Sequence, residues 1–184
     1  MIPPADLGLV TRGLSIRQPW VWLMTEPRAE GAPPPKRIEN RSWHLPPSMR
    51  GQWFAVCASA RTSYADYASA GRYAAERGVL VPHPGDPALV RGAVVAVARA
   101  FECLCPPGLG FAPRPWGQDL RDRDLDWWMN DQHGHVWRDV WRLPEPVPVR
   151  GALGFFALPP DVVFDVDEQI RSAQKEGGTD ADAR

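Results

Sequence analysis

The run Gly92-Ala93-Val94-Val95-Ala96-Val97-Ala98-Arg99-Ala100-Phe101 constrains this chain more than any other segment. Small and β-branched residues follow one another with one interruption by charge, which is the pattern of a long buried strand. Around it the chain is cut into short pieces by proline and glycine. Pro33-Pro34-Pro35, Pro46-Pro47, the Pro82, Pro84 and Pro87 group and the stretch from Cys105 to Gly117 can neither continue a helix nor enter a central strand. What remains between them is strand-sized.

Gly13 to Ile16 reads as a strand, and Pro19 then takes the favoured first position of a short helix whose Trp20, Leu23 and Met24 face inward. Arg37 to Trp43 and Gly51 to Ser59 have strand character, and the second ends in the small residues Ala58, Ser59 and Ala60. Thr62 or Ser63 caps a helix with Tyr64, Tyr67, Ala68, Gly71 and Ala75 along one stripe, and Gly78 stops it. Two further strands are expected at His135 to Leu143 and Ala152 to Leu158, joined by Pro144 to Pro148. The fold class is α+β: a small, strongly curved β-barrel decorated by short helices, with a two-layer α+β sandwich as the alternative.

At 184 residues one domain is the expectation, spanning residues 1 to 160. From Asp161 onward there are seven acids and three bases, a net of −4, so the body carries +3 out of a total of −1. That tail is expected to be flexible, with a brief helix at most between Glu168 and Glu176. No run of about 18 apolar residues and no signal-peptide pattern occurs, which predicts a cytoplasmic protein with no membrane contact.

Three cysteines, Cys57, Cys103 and Cys105, lack paired C-x-x-C spacing, and with the scattered histidines they do not frame four zinc ligands. Reduced thiols and no metal or cofactor are expected, with a Cys103/Cys105 redox or metal role as the minor alternative. His133 and His135 around Gly134 lack a third ligand beyond Asp131. Trp127-Trp128 is read as packing against the barrel, and Arg121 to Asp124 as a solvated loop of alternating charge.

The chemistry concentrates in Leu14-Ser15-Ile16-Arg17-Gln18-Pro19-Trp20 and Lys36-Arg37-Ile38-Glu39-Asn40-Arg41-Ser42-Trp43. On a strand Arg37, Glu39 and Arg41 share one face, so Glu39 is bracketed by guanidinium groups, either as a solvated ion-pair ladder or as an orienting carboxylate beside a ligand. Cations, a carboxylate and indoles together suit a charged, flat-faced ligand. Nucleotides have that character, since phosphates favour Arg and Lys and each base offers a face for stacking.

These two segments resemble the ASCH domain family, as do Arg50-Gly51, the Ala58-Ser59-Ala60 strand end, the strand at Gly92 to Val97, His135-Val136-Trp137 and Pro146 to Phe155. The resemblance runs from about Gly13 to Leu158. It implies a PUA-like barrel with a cleft for RNA, another single-stranded nucleic acid or a modified nucleotide, bound by a monomer. The family's G-x-K-x-x-E-x-R pattern falls on Lys36, Glu39 and Arg41, although the approach from Gly31 to Lys36 is longer here and stiffened by three prolines.

On this reading Arg17, Lys36 and Arg41 neutralise phosphate or carbonyl charge, and Trp20 or Trp43 stacks a base. Gln18, Glu39 and Ser59 supply directional hydrogen bonds. His135 is either a ligand contact or a core histidine held by a backbone carbonyl, and His44 adds a phosphate contact. Some relatives are hydrolases, of acetylated cytidine or of RNA, which makes Lys36 and Glu39 an alternative catalytic pair. Glu39 stands where the amidohydrolase pattern has threonine, which weakens that alternative. A protein-interaction adaptor working through the tail or Trp127-Trp128 is the third reading.

Overall fold

The computed structural model describes residues 2–26, 30, 32–106 and 122–181, without the side chains of residues 122, 123 and 178–181. Its centre is a six-stranded mixed sheet, ordered β2-β5-β4-β3-β1-β6. The strands are β1 (Arg12–Ile16), β2 (Ile38–Arg41), β3 (Trp53–Ala58), β4 (Ala93–Leu104), β5 (His133–Pro148) and β6 (Phe155–Ala157). β1 and β3 run parallel, and the other neighbours are antiparallel. The helices are α1 (Trp20–Thr25), α2 (Tyr64–Ala75), α3 (Asp122–Leu125) and α4 (Pro160–Ala181).

Register shifts interrupt the β3–β4 pairing between Val56 and Cys57, and the β4–β5 pairing at three places between Val94 and Glu102. Each extra residue bends its strand and increases the local twist, so the sheet curls into a half-barrel. The curl brings its two edges together. Trp43, just past β2, meets Phe155 of β6 edge-on at 5.8 Å, and Arg41 of β2 donates from Nη2 to the Ser15 carbonyl of β1 at 2.7 Å.

Both faces of the sheet are covered, which is why β3 and β4 read as unbroken apolar runs. Leu14, Ile16, Phe54, Val56, Ala98 and Trp137 fill the concave side. Ala55, Cys57, Val97 and Trp141 fill the convex side beneath α4 and the arm carrying Leu7 and Val10. A third cluster of Leu23, Ile38, Ala74, Leu104, Trp127 and Val136 ties α1 and α2 to the β2–β5 edge. Trp127 is buried there, as the packing reading expects.

Three expectations are corrected. The segment after residue 160 is not a flexible tail over its described length: it is helix α4, and Val162, Val166 and Ile170 recur every four residues and are buried against the convex face. The acids Asp161, Asp165 and Glu168 lie on the exposed side of that helix, so acidic composition concealed an amphipathic stripe. Pro144 to Pro148 is not a link between strands but the end of β5, where Gln169 of α4 pairs with the Glu145 backbone, accepting at 3.0 Å and donating at 3.1 Å. On α2 the inward stripe is Tyr67, Ala70 and Ala74, and Tyr64 is 81% exposed. The ends of α2 follow the expected signals: Ser63 caps the Asp66 N–H at 3.0 Å, and Gly78 has φ +74°.

Gly134 marks the closest approach near the β2–β5–β4 edge. A methyl group there would lie 2.9 Å from Ile38 Cγ2 and from Trp128 Cδ1, so only glycine lets the segment after α3 pack against the strands.

No helix among the described residues is long and apolar enough to cross a membrane.

Candidate functional site: a polar recess beside a buried ion-pair chain

α1 has no capping side chain of its own at Pro19, and Gln18 supplies one from the preceding position. Its Oε1 accepts from the Trp22 N–H at 3.1 Å while Nε2 donates to the Val90 carbonyl at 2.8 Å, so the short helix is tied to the end of the β3–β4 region. This holds Trp20 in place. After the proline-rich segment the chain returns to α1, where the Lys36 N–H donates to the Leu23 carbonyl at 2.9 Å.

Lys36 turns its side chain inward. Nζ donates to Glu39 Oε2 at 3.1 Å, lies 3.8 Å from Met24 Sδ and stands 5.1 Å from the centre of the Trp20 ring. Glu39 Oε1 is 3.1 Å from Arg41 Nε, and Arg41 extends on to Ser15 and lies 5.9 Å from the Trp43 ring. Lys36 and Glu39 are 2% and 6% exposed, so this chain of charges is largely withdrawn from water.

The expected bracket of Glu39 by Arg37 and Arg41 is therefore corrected to Lys36 and Arg41. β2 begins only at Ile38, and Arg37 instead donates to the Trp137 carbonyl at 3.1 Å and lies 3.9 Å from Asp124. Burial alone would raise the Glu39 carboxyl, but the Lys36 and Arg41 cations outweigh it and hold it below its ordinary value. Burial pushes the Lys36 ammonium below its ordinary value, against the opposing pull of Glu39.

A recess of about 250 Å³ opens beside this pair. Arg17, Gln18, Trp20, Lys36 and Glu39 line it on one side, as the sequence grouping anticipates. The opposite wall comes from α2, through Thr62, Asp66, Ser69 and Ala70, and from Met129 and Gln132 ahead of β5. Asn40 joins the walls: its Nδ2 donates to the Trp127 carbonyl at 2.8 Å and its Oδ1 accepts from the Met129 N–H at 2.9 Å. Thr62 is named from sequence only as a candidate helix cap, and none of these opposite-wall residues is among the expected site residues. They lie 20 to 90 positions from the motif, and no local pattern marks them.

The recess is not basic. Arg17 on the rim pairs with Asp66 at 3.0 Å, and Lys36 pairs with Glu39, so two cations meet two carboxylates among the charged lining residues. The expected positive cleft is replaced by a polar, electrically balanced one.

Four expected site residues lie outside the lining. Trp43 packs edge-on to His135 at 4.7 Å and to Phe155, closing the barrel instead of presenting a stacking face. Arg41 stands behind Glu39. Ser59 uses its N–H on the Ile16 carbonyl at 2.8 Å, at the end of β3. His135 is fully buried across from Glu39 in the β2–β5 register, with Nε2 3.0 Å from the Trp43 carbonyl. Burial pushes its pKa down to about 4, so the ring is neutral and donates from Nε2. It is the carbonyl-held core histidine of the two readings.

A second cluster lies off the recess. One ligand atom each from His44, Cys103 and Cys105 falls within 4.8 Å of the others, and His133 Nδ1 is 4.0 Å from Cys103 Sγ. His44 is far from the two cysteines along the chain, and folding brings them together.

No protein-family model matches this chain, and no curated protein matches it.

Proposed function

We propose that the recess takes a single nucleobase or nucleoside, presented by RNA, by another single-stranded nucleic acid or as a modified nucleotide, and that the chain is an ASCH-like, PUA-like binding module acting as a cytoplasmic monomer. One observation carries this reading: the half-buried Trp20 ring adjoins the Lys36–Glu39 pair at the wall of a recess sized for one flat, polar group. Its volume of about 250 Å³ is below that of sites for drug-sized ligands, roughly 300–1,000 Å³.

A base edge alternates donors and acceptors, and the walls do the same. Lys36 donates, the Glu39 carboxylate accepts, and Thr62, Ser69 and Gln132 offer both capacities. Arg17 at the rim is the cation placed for a flanking phosphate. With the remaining charges balanced, binding gains little from counterion release, and its salt dependence is shallow, near that of one phosphate contact.

The test is an anisotropy titration of the full chain at low salt against labelled single-stranded RNA and DNA, with free modified nucleosides as competitors. Saturable binding that Trp20→Ala weakens supports the reading. Absence of binding across the whole panel overturns it.

A hydrolase acting on a modified nucleoside or on RNA is the second reading, and the depressed Lys36 ammonium favours it, because a lysine nearer neutrality can serve as base or nucleophile. Glu39 at 3.1 Å works against it by stabilising the charged form. Incubation with acetylated cytidine and labelled RNA separates the two. Turnover lost in a folded Lys36→Ala variant supports the enzyme, and equal background in both proteins removes the hydrolase reading and leaves the binder to the titration.

A further inference from the structure

His44 and His133 approach each other and the two half-buried thiols at the far end of β4. Their ring centres are 5.4 Å apart, Cys103 Sγ is 4.0 Å from His133 Nδ1, and His44, Cys103 and Cys105 can bring ligand atoms within 4.8 Å of one another. Two sulfurs and two imidazoles are the donor set of a closed tetrahedral zinc site. At Zn–S and Zn–N lengths of ~2.3 and ~2.0 Å, tetrahedral donors lie roughly 3.3–3.8 Å apart, so side-chain shifts of at most about 1.5 Å close His44, Cys103 and Cys105 on an ion, and His133 Nδ1 joins from 4.0 Å beside Cys103 Sγ.

The surroundings are those such a site uses. His44 Nδ1 is 2.8 Å from the Leu45 carbonyl, and a neutral ring that donates there keeps its Nε2 lone pair for a metal. The Leu45 N–H donates to Cys103 Sγ at 3.3 Å, a bond that stabilises a metal-bound thiolate. The cluster is partly accessible, which gives an ion a way in. Two thiolates also neutralise the charge of a divalent cation.

From this geometry we infer that His44, Cys103, Cys105 and His133 bind one Zn²⁺ ion as a structural clamp. The ion joins three separate parts of the fold: the exit of β2 through His44, the end of β4 through Cys103 and Cys105, and the start of β5 through His133. Cys105 and His133 also stand at the two ends of the connection between the neighbouring strands β4 and β5, so a shared ion ties those ends together and lowers the entropy of the unfolded chain. His44 is the neighbour of Trp43, so the clamp braces the segment that closes the barrel edge.

The experiment uses the full chain, reduced with a phosphine, and reads zinc content by mass spectrometry and Co²⁺ binding by absorption. The inference predicts one zinc per chain, a tetrahedral cobalt spectrum and a thiolate-to-cobalt charge-transfer band whose intensity corresponds to two thiolates. Cys105→Ser halves that band. His133→Gln weakens zinc by more than the ~10–100-fold that loss of an outer-shell partner costs, and His83→Gln, an exposed histidine elsewhere, changes nothing. The wild-type cobalt spectrum counts thiolates even where a variant fails to fold. Reduced wild-type protein that holds no metal, or a cobalt spectrum without thiolate bands, overturns the inference.

Discussion

Lys36 Nζ and Glu39 Oε2 lie 3.1 Å apart with neither side chain more than 7% exposed, and Arg41 holds the other oxygen of the same carboxylate. Three charges in so dry a place share a net of one positive charge, and each depends on the others. A buried pair is weak support for stability relative to apolar residues, but removal of one partner strands the other.

Lys36→Met is therefore expected to destabilise the fold by about 3 kcal/mol, at the lower end of the ~3–5 kcal/mol range because Arg41 still compensates Glu39. The double variant Lys36→Met/Glu39→Gln should recover part of that loss. Urea unfolding measures both, and strictly additive effects in the double variant would show that the two groups do not act as a pair.

His135 makes stability depend on pH in a definite window. Its folded pKa, about 4, lies below its ordinary unfolded value of ~6.5, so the unfolded chain binds the proton first as pH falls. Stability is whole above ~6.5 and declines by on the order of 3 kcal/mol as pH falls toward 4. Glu39, held below the ordinary carboxylate range, adds a separate loss at lower pH. Denaturant midpoints measured between pH 7 and 4 should slope downward in the wild type and flatten in His135→Gln. A flat wild-type profile would contradict the burial of a neutral ring.

Trp20 and Arg17 should separate stacking from charge in ligand binding. Trp20→Ala is expected to cost ~1–3 kcal/mol, a rise in Kd of roughly 5- to 150-fold, with the salt slope unchanged. Arg17→Ala, at an exposed pair with Asp66, should cost less and reduce the salt slope by about one phosphate contact. Titrations at several salt concentrations decide, and the reverse assignment of the two effects would remove Trp20 as the stacking wall.

α4 is expected to be part of the folding unit. Val166 is fully buried, so Val166→Ala should cost about 1–3 kcal/mol, and a chain ending at Pro159 should lose its cooperative thermal transition. A truncated protein that melts like the whole chain would return this segment to the status of a tail.

The sequence by itself determined what local chemistry controls: the strand at Ala93 to Phe101, the cap at Ser63 and the stop at Gly78. Those features depend on backbone sterics and on groups a few residues apart. Tertiary structure alone decided which partner each side chain found. It gave Glu39 to Lys36 instead of Arg37, turned Trp43 and His135 into the barrel seam, brought α2 and Met129 across to wall the recess, and gathered His44 to Cys103 and Cys105. The physical reason is that burial and charge pairing depend on distance in space, and strand curvature set by scattered bulges brings together residues that no spacing along the chain connects.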